Sequence, residues 1–214
     1  MATLGRGGFA FVAVVALLLA GTPVRAGQPT EQLRVEIEQV IKVLDDPEFK
    51  KDGNANARRA AVRRIANEIF DFGETAKRSL ARHWTSRTPM EREEFVQLFA
   101  DLLERSYISK IELYGGEKVD YVGETIDGDQ ATIKTKITTK QGTEIPIDYR
   151  MLKRGDKWLV YDVIIEGVSL VANYRSQFDR IVRTTSYEEL VRRLKSKRDE
   201  FLNEQPDTAR RTSG

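Results

Sequence analysis

Cysteine is absent from this 214-residue chain, and histidine occurs once, at His83. The first absence excludes disulfides, thiolate zinc sites, cysteine nucleophiles and thiol redox chemistry; the second excludes metal sites built from several imidazoles. A strong charge of either sign is also lacking. Lys and Arg number 35 against 33 Asp and Glu, and the formal charge of +2 is too small for the basic footprint of a nucleic-acid binder. The longest apolar run, residues 9–20, has twelve residues, whereas about 20 are needed to cross the ~30 Å hydrocarbon core of a bilayer. No Walker loop, dinucleotide fingerprint, EF-hand or HExxH motif occurs.

What is present begins with a leader. Arg6 precedes the apolar run, and Val24-Arg25-Ala26 follows the small-x-Ala pattern of a signal-peptidase site, so residues 1–26 read as a cleaved secretory signal. Its removal takes away Arg6 and Arg25 and no acid, leaving 33 basic against 33 acidic residues. Beyond it, residues 27–204 read as a single α+β domain and residues 205–214 as a disordered tail.

Leu33, Ile37, Val40, Ile41 and Leu44 recur at helical spacing after Pro29-Thr30, and Asp45-Asp46-Pro47 stops that helix. A second helix from about residue 57 turns Val62, Ile65, Ala66 and Ile69 inward and Arg58, Arg59, Arg63 and Arg64 outward. A short third helix over about 74–84 carries Ala76, Leu80 and Trp84. Thr88-Pro89-Met90-Glu91 combines an N-cap, a proline at the first helical position and a capping-box glutamate, and Phe95, Leu98, Phe99, Leu102, Leu103 and Tyr107 follow on one face.

After Tyr114-Gly115-Gly116 the hydrophobic period changes from 3.6 to 2. Residues 117–126, 129–139, 143–153 and 157–165 read as a four-stranded antiparallel meander joined by hairpin turns. Ala131, Ile133, Thr135 and Ile137 alternate with Thr132, Lys134, Lys136 and Thr138, so one face is dry and the other wet. Pro146 lacks an N–H and points to a bulge or an edge position. The fourth strand is apolar on both faces apart from Asp162, which predicts cover on both sides. Ser169 and Ser186 are candidate caps of two closing helices. The fold class is therefore α+β, with the meander sheet packed against N- and C-terminal helices.

Three residues invite chemical readings. A hydrolase triad has only His83 for its base, and Gly167-Val168-Ser169-Leu170-Val171 lacks the closing glycine of a nucleophile elbow, so a capping role for Ser169 is the simpler reading. Asp162, a carboxylate in an apolar strand, suits either a general base or an acceptor of hydrogen bonds from a neighbouring Tyr or Arg. The pairs Arg58-Arg59 and Arg63-Arg64 and the run 192–198 fit solvated helix faces, or contacts to anionic headgroups or an acidic partner.

The stretch Gly167-Val168-Ser169-Leu170-Val171-Ala172-Asn173-Tyr174-Arg175-Ser176-Gln177-Phe178, preceded by Trp158-Leu159-Val160-Tyr161-Asp162-Val163 and Glu166, resembles the MlaC family, the toluene-tolerance auxiliary substrate-binding proteins. Phe70-Asp71-Phe72, the segment from Phe95 to Tyr107 and Ile145-Pro146-Ile147-Asp148-Tyr149 extend the resemblance in order over residues 30–204. One departure is Ala81, where the family often has Gly. The resemblance implies a soluble, monomeric periplasmic phospholipid carrier without enzymatic activity, cofactor or metal. It would shuttle lipid between an outer-membrane lipoprotein complex and an inner-membrane ABC transporter complex, maintaining outer-membrane asymmetry. It also implies an apolar cavity between sheet and helices, with the headgroup at its mouth. Each buried methylene is worth about 0.8 kcal/mol, so tails cross water only when covered.

Alternation and helical spacing nominate the lining: Ile133, Ile137, Ile147, Tyr149 and Val163 from the sheet, and Phe99, Leu103, Val168, Val171, Tyr174 and Phe178 from the helical side. Arg175 is a candidate contact for headgroup or partner, or a brace for Glu166 or Asp162. Two other functions compete: a small isomerase or lyase using Asp162, and an envelope scaffold or chaperone with a solid core.

Overall fold

The computed structural model describes residues 29–51 and 53–204; the expected leader, residues 1–26, and tail, residues 205–214, lie outside the described residues. Four helices come first: α1 (Pro29–Asp45), α2 (Ala55–Ile69), α3 (Phe72–Leu80) and α4 (Pro89–Glu112), with a 3₁₀ turn over Ala81–His83. Five strands follow, β1 (Lys118–Asp127), β2 (Gln130–Thr138), β3 (Glu144–Arg154), β4 (Lys157–Ile165) and β5 (Val168–Ser169), then α5 (Leu170–Thr184) and α6 (Tyr187–Glu204). The helix starts are those the cap residues predict. Thr88 Oγ1 accepts from Glu91 N at 3.2 Å while Thr88 N donates to Glu91 Oε2 at 2.7 Å, closing the capping box of α4. Ser169 and Ser186 accept from Ala172 N and Glu189 N at 3.0 and 3.1 Å. Each such cap is worth about 1 kcal/mol.

The sheet has five strands in the order β1-β2-β3-β4-β5, all antiparallel, which corrects the expected four. The added strand has two residues, reached through a tight turn in which Glu166 and Gly167 take φ of +50° and +80°. A strand so short leaves no alternation to read. Pro146 stands in the central strand β3, opposite Lys136, neither in an edge strand nor at a bulge. Its carbonyl accepts from Glu166 N at 3.0 Å. The side of Pro146 that lacks an N–H therefore faces the point where β4 has just ended, and the ladder loses one bond at its margin. The bulges lie elsewhere, at Val122 in β1 and Tyr161 in β4.

Strand β4 is covered on both faces, as its composition predicts. Trp158, Val160, Tyr161 and Asp162 are all buried, and α2, α3 and α5 pack on the strand. Phe70 forms a parallel bridge to Val160, and Asp71 N donates to Val160 O at 2.9 Å, so the link between α2 and α3 closes the edge of β4 beside the bulge. Two apolar clusters result. One lies between the inner face of the sheet and α1 and α2: Leu33, Ile65, Ile69, Ala131, Ile133, Met151, Trp158 and Val160. The other lies among α3, α4, α5 and α6, around Leu80, Phe95, Leu98, Phe99, Phe178 and Leu190.

Candidate functional site

The inner face of the sheet is unevenly covered. Ala131, Ile133, Met151 and Val160 are buried, whereas Tyr121, Ile137, Ile147, Tyr149 and Val163 are half-buried. Helix α1 produces this difference. Its first turn is pinned to the sheet, because Thr30 N donates to Glu124 Oε2 at 3.0 Å and Gln32 exchanges bonds with Trp158 N and O at 2.9 and 2.7 Å. Farther along, Ile37, Val40 and Val43 pack at the margin of the sheet cluster without being sealed. Tyr149 shows what lies between. It is half-buried, and burial, followed by the nearby Tyr121 phenol, pushes its own phenol above the ordinary value. Such half-covered side chains mark a stretch of the face that the second half of α1 leaves incompletely sealed, a shallow recess. Tyr121 borders the same space; burial pushes its phenol up to about 12, and the Arg34 guanidinium lies 4.2 Å from its ring centroid.

The nominated lining residues separate into groups. Tyr149 and Val163 are half-buried and, like Ile37, Val40 and Val43, pack against the buried cluster to which Ile133 belongs. Ile137 and Ile147 lie farther along the same face. Phe99, Leu103, Tyr174 and Phe178 belong to the helical cluster instead. There Phe99 meets Phe178 and Tyr174 edge-on at 5.1 and 5.0 Å, and Tyr174 is hydrogen-bonded to Tyr107. Such ring contacts contribute about 0.5–1.5 kcal/mol each beyond area burial. Val171 is buried and Val168 is 57% exposed. The half-covered apolar strip beneath α1 and the packed helical cluster thus lie in different parts of the fold. Two surface grooves, of about 420 and 360 Å³, run along α5 and between α4 and α6 and touch none of the recess residues.

The residues weighed for chemistry are occupied in other ways. Asp162, 3% exposed, accepts from Arg150 Nη1 at 3.2 Å, Ser169 Oγ at 2.7 Å and Val171 N at 3.0 Å. It joins β3, β5 and the start of α5, and Ser169 caps that helix. His83 Nε2 lies 2.9 Å from Asp179 Oδ1, and Arg82 shares the same oxygen at 2.5 Å. His83 and Arg82 together hold the Asp179 carboxyl below its usual range. Arg175 braces neither Glu166 nor Asp162: its Nε donates to Arg78 O at 3.0 Å, fixing α5 to α3.

The arginines of α2 are mostly committed too. Arg58 and Arg59 grip Glu112 at 3.2 and 3.0 Å, and Arg63 grips Glu104 at 2.6 Å. Burial opposes ionisation of Glu112, but hydrogen bonds from Arg59 and Arg58 outweigh it and keep its carboxyl low. On α6, Arg192 and Arg193 hold Glu189 at about 2, and Lys195 reaches Glu94 at 2.6 Å. These faces fasten helices to one another, as the spacing of charges alone does not reveal.

Tyr121 and the α1 residues Ile37, Val40 and Val43 were not among the nominated set. The α1 stripe is plain in the sequence, but only the path of the helix shows that its second half borders a recess. Among the described residues, no cluster of three or more metal-ligating side chains occurs and no helix is long and apolar enough to cross a membrane.

The family model described as MlaC protein matches residues 35–196. The toluene tolerance protein ttg2D of Pseudomonas putida is 24% identical over 173 residues, covering 76% of this chain and 78% of the relative. The intermembrane phospholipid transport system binding protein MlaC of Haemophilus influenzae is 20% identical over 186 residues, covering 85% and 87%. Among solved structures, the phospholipid-binding protein from Ralstonia solanacearum, in complex with a phospholipid, superposes with a TM-score of 0.72 at 22% identity, over 81% of this chain and 98% of the other. That likeness confirms the α+β fold.

Proposed function

The chain belongs to the MlaC family, and from that membership we propose that it is a phospholipid carrier of the periplasm. In this reading residues 1–26 are the export leader, and the domain over residues 27–204 passes lipid between an outer-membrane lipoprotein complex and an inner-membrane ABC transporter complex, sustaining outer-membrane asymmetry. The observation that supports the reading is the half-buried apolar strip between α1 and the sheet, where Ile37, Val40, Val43 and Val163 pack against the buried cluster without being sealed, continuing toward Ile137 and Ile147. Acyl chains there gain about 0.8 kcal/mol for each methylene removed from water. Phe99, Leu103, Val171, Tyr174 and Phe178 border the route along which the recess would lengthen for longer tails, and Arg175 offers its remaining guanidinium nitrogens to a headgroup or partner. The related phospholipid-binding proteins support this assignment.

The test is extraction. Protein purified gently from the periplasm of its own host should release phospholipid into organic solvent, detected by mass spectrometry near one molecule per chain. Protein that yields only background lipid refutes the carrier reading.

A further inference from the structure

The arginines that stand out in the sequence are answered inside the fold. Arg58, Arg59 and Arg63 of α2 meet Glu112 and Glu104 of α4, and α6 carries as many acids as bases. Residues 118–165, the meander, balance in the same way. A different surface is left unbalanced, and only folding assembles it. Helices α3 and α5 pack side by side, with Arg175 Nε donating to Arg78 O at 3.0 Å and the turn Ala81–His83 joined to Asp179. Residues 72–84 and 170–184 thereby bring together Lys77, Arg78, Arg82, Arg175, Arg180 and Arg183 against only Glu74 and Asp179. Both carboxylates are shared. Glu74 serves Lys77, Arg78 and Arg154 of β3, and Asp179 serves Arg82, His83 and Arg183. Among the described residues, Arg175 and Arg180 form no ion pair. All six cations except the half-buried Arg78 are exposed. On a chain with 33 basic and 33 acidic residues beyond residue 26, this is a local excess of positive charge.

The texture of this face narrows what it meets. None of the exposed large hydrophobic side chains among the described residues lies on α3 or α5, and the arginines of α5 are interspersed with exposed Ala172, Asn173, Ser176 and Gln177. A protein interface centres on a desolvated aromatic or aliphatic anchor, which is missing here. The anionic surface of a bilayer attracts Lys and Arg without any such anchor. A surface groove of about 420 Å³, lined by Ser176, Asp179, Arg180, Arg183 and Thr184, adds room for a phosphate beside two guanidinium groups. The Ser176 and Thr184 hydroxyls already donate to Ala172 O and Arg180 O, so the guanidinium groups are the donors the groove has to offer. Resting on the carrier reading for its setting, we propose that the α3–α5 face adsorbs the protein reversibly to the headgroup layer of a bilayer containing anionic phospholipid. Such adsorption concentrates a carrier where its cargo resides and releases it without withdrawing an inserted side chain.

The experiment is co-sedimentation of the purified protein with sucrose-loaded vesicles of phosphatidylcholine, alone or mixed with an equal part of phosphatidylglycerol. The wild-type protein should sediment with the mixed vesicles and not with phosphatidylcholine alone. Each Lys or Arg near an anionic leaflet strengthens binding about 5-fold, so Arg180→Gln combined with Arg183→Gln should weaken binding to the mixed vesicles about 30-fold. Arg192→Gln combined with Arg193→Gln removes the same charge from α6 and should change binding by less than about 3-fold, since it leaves the α3–α5 face intact. In about 0.5 M salt, where the Debye length is about 4 Å, wild-type binding should fall to the phosphatidylcholine level. Thermal midpoints of both double variants verify folding. A wild-type protein that does not prefer the mixed vesicles overturns the inference, and so does a loss from the α6 pair as large as that from the α5 pair. A parallel titration with a poly-glutamate peptide tests the rival occupant: binding to the peptide through Arg180 and Arg183 without binding to the mixed vesicles overturns the membrane assignment in favour of an acidic protein. Protein that releases phospholipid on extraction yet ignores the mixed vesicles keeps the carrier reading and loses this inference. Protein that sediments with them yet releases no phospholipid does the reverse.

Discussion

Ala81 occupies a backbone conformation that a side chain resists. It follows α3 with φ +49° and ψ −122°, one of two positive-φ residues other than glycine among those described. A Cβ in this region costs about 1–3 kcal/mol. Glycine removes that cost but widens the unfolded ensemble by about 0.4–1 kcal/mol. The difference predicts that Ala81→Gly stabilises the protein by about 1 kcal/mol, or about 2–4 °C in thermal midpoint for a domain of this size. The strain has a use: the turn Ala81–His83 aims Arg82 and His83 at Asp179 of α5. Urea unfolding followed by circular dichroism measures the change, with an unaltered slope showing that the unfolded state is comparable. Ala60→Gly, on the exposed face of α2, is the control. There the backbone is helical and the same chemical change should cost about 1 kcal/mol. If Ala81→Gly destabilises as Ala60→Gly does, the backbone reading is wrong.

Two further outcomes follow from buried carboxyls. Asp162→Ala leaves the Arg150 guanidinium, the Ser169 hydroxyl and the Val171 N–H without their shared acceptor, and should cost about 3 kcal/mol or more in urea unfolding; a loss below about 0.5 kcal/mol contradicts the joining role. Glu36 on α1 is raised from its ordinary value of 4.5 by burial and then by Glu68, and its Oε2 has no hydrogen-bond partner. The folded carboxyl keeps its proton to higher pH than the unfolded one, so its contribution is fully present below 4.5 and declines as pH rises through the folded value. Glu36→Gln should therefore be more stable than the wild type at pH 7 and no more stable at pH 4. Equal differences at both pH values would show that ionisation is not the cause.

Much of the fold is legible because local chemistry and tertiary structure agree. The capping box at Thr88-Glu91, the serine caps at 169 and 186 and the period-2 pattern of residues 130–138 each rest on contacts within a few residues, and all appear in place. The errors arise where a long-range neighbour decides. Pro146 fits a central strand because β4 happens to end beside it. Ala81 registers in the sequence only as an alanine at a turn, since its dihedral angles follow from how α3 is joined to α5.

The site is legible in its face and not in its extent. Alternation places Ile133, Tyr149 and Val163 on one side of the sheet correctly, because successive side chains of a strand must point to opposite faces. It says nothing about which part of that face a helix seals. Helix α1 is anchored by Thr30 and Gln32 at its first turn and packs less tightly beyond it, so Ile133 becomes core and Tyr149 becomes wall although they are directly paired. Phe99 and Phe178 show the converse. Their helical spacing is that of any inward residue, and only the 5.1 Å contact between their rings distinguishes packed core from open lining. Hydrophobic pattern determines which atoms avoid water; whether they meet each other or a ligand depends on the placement of one helix.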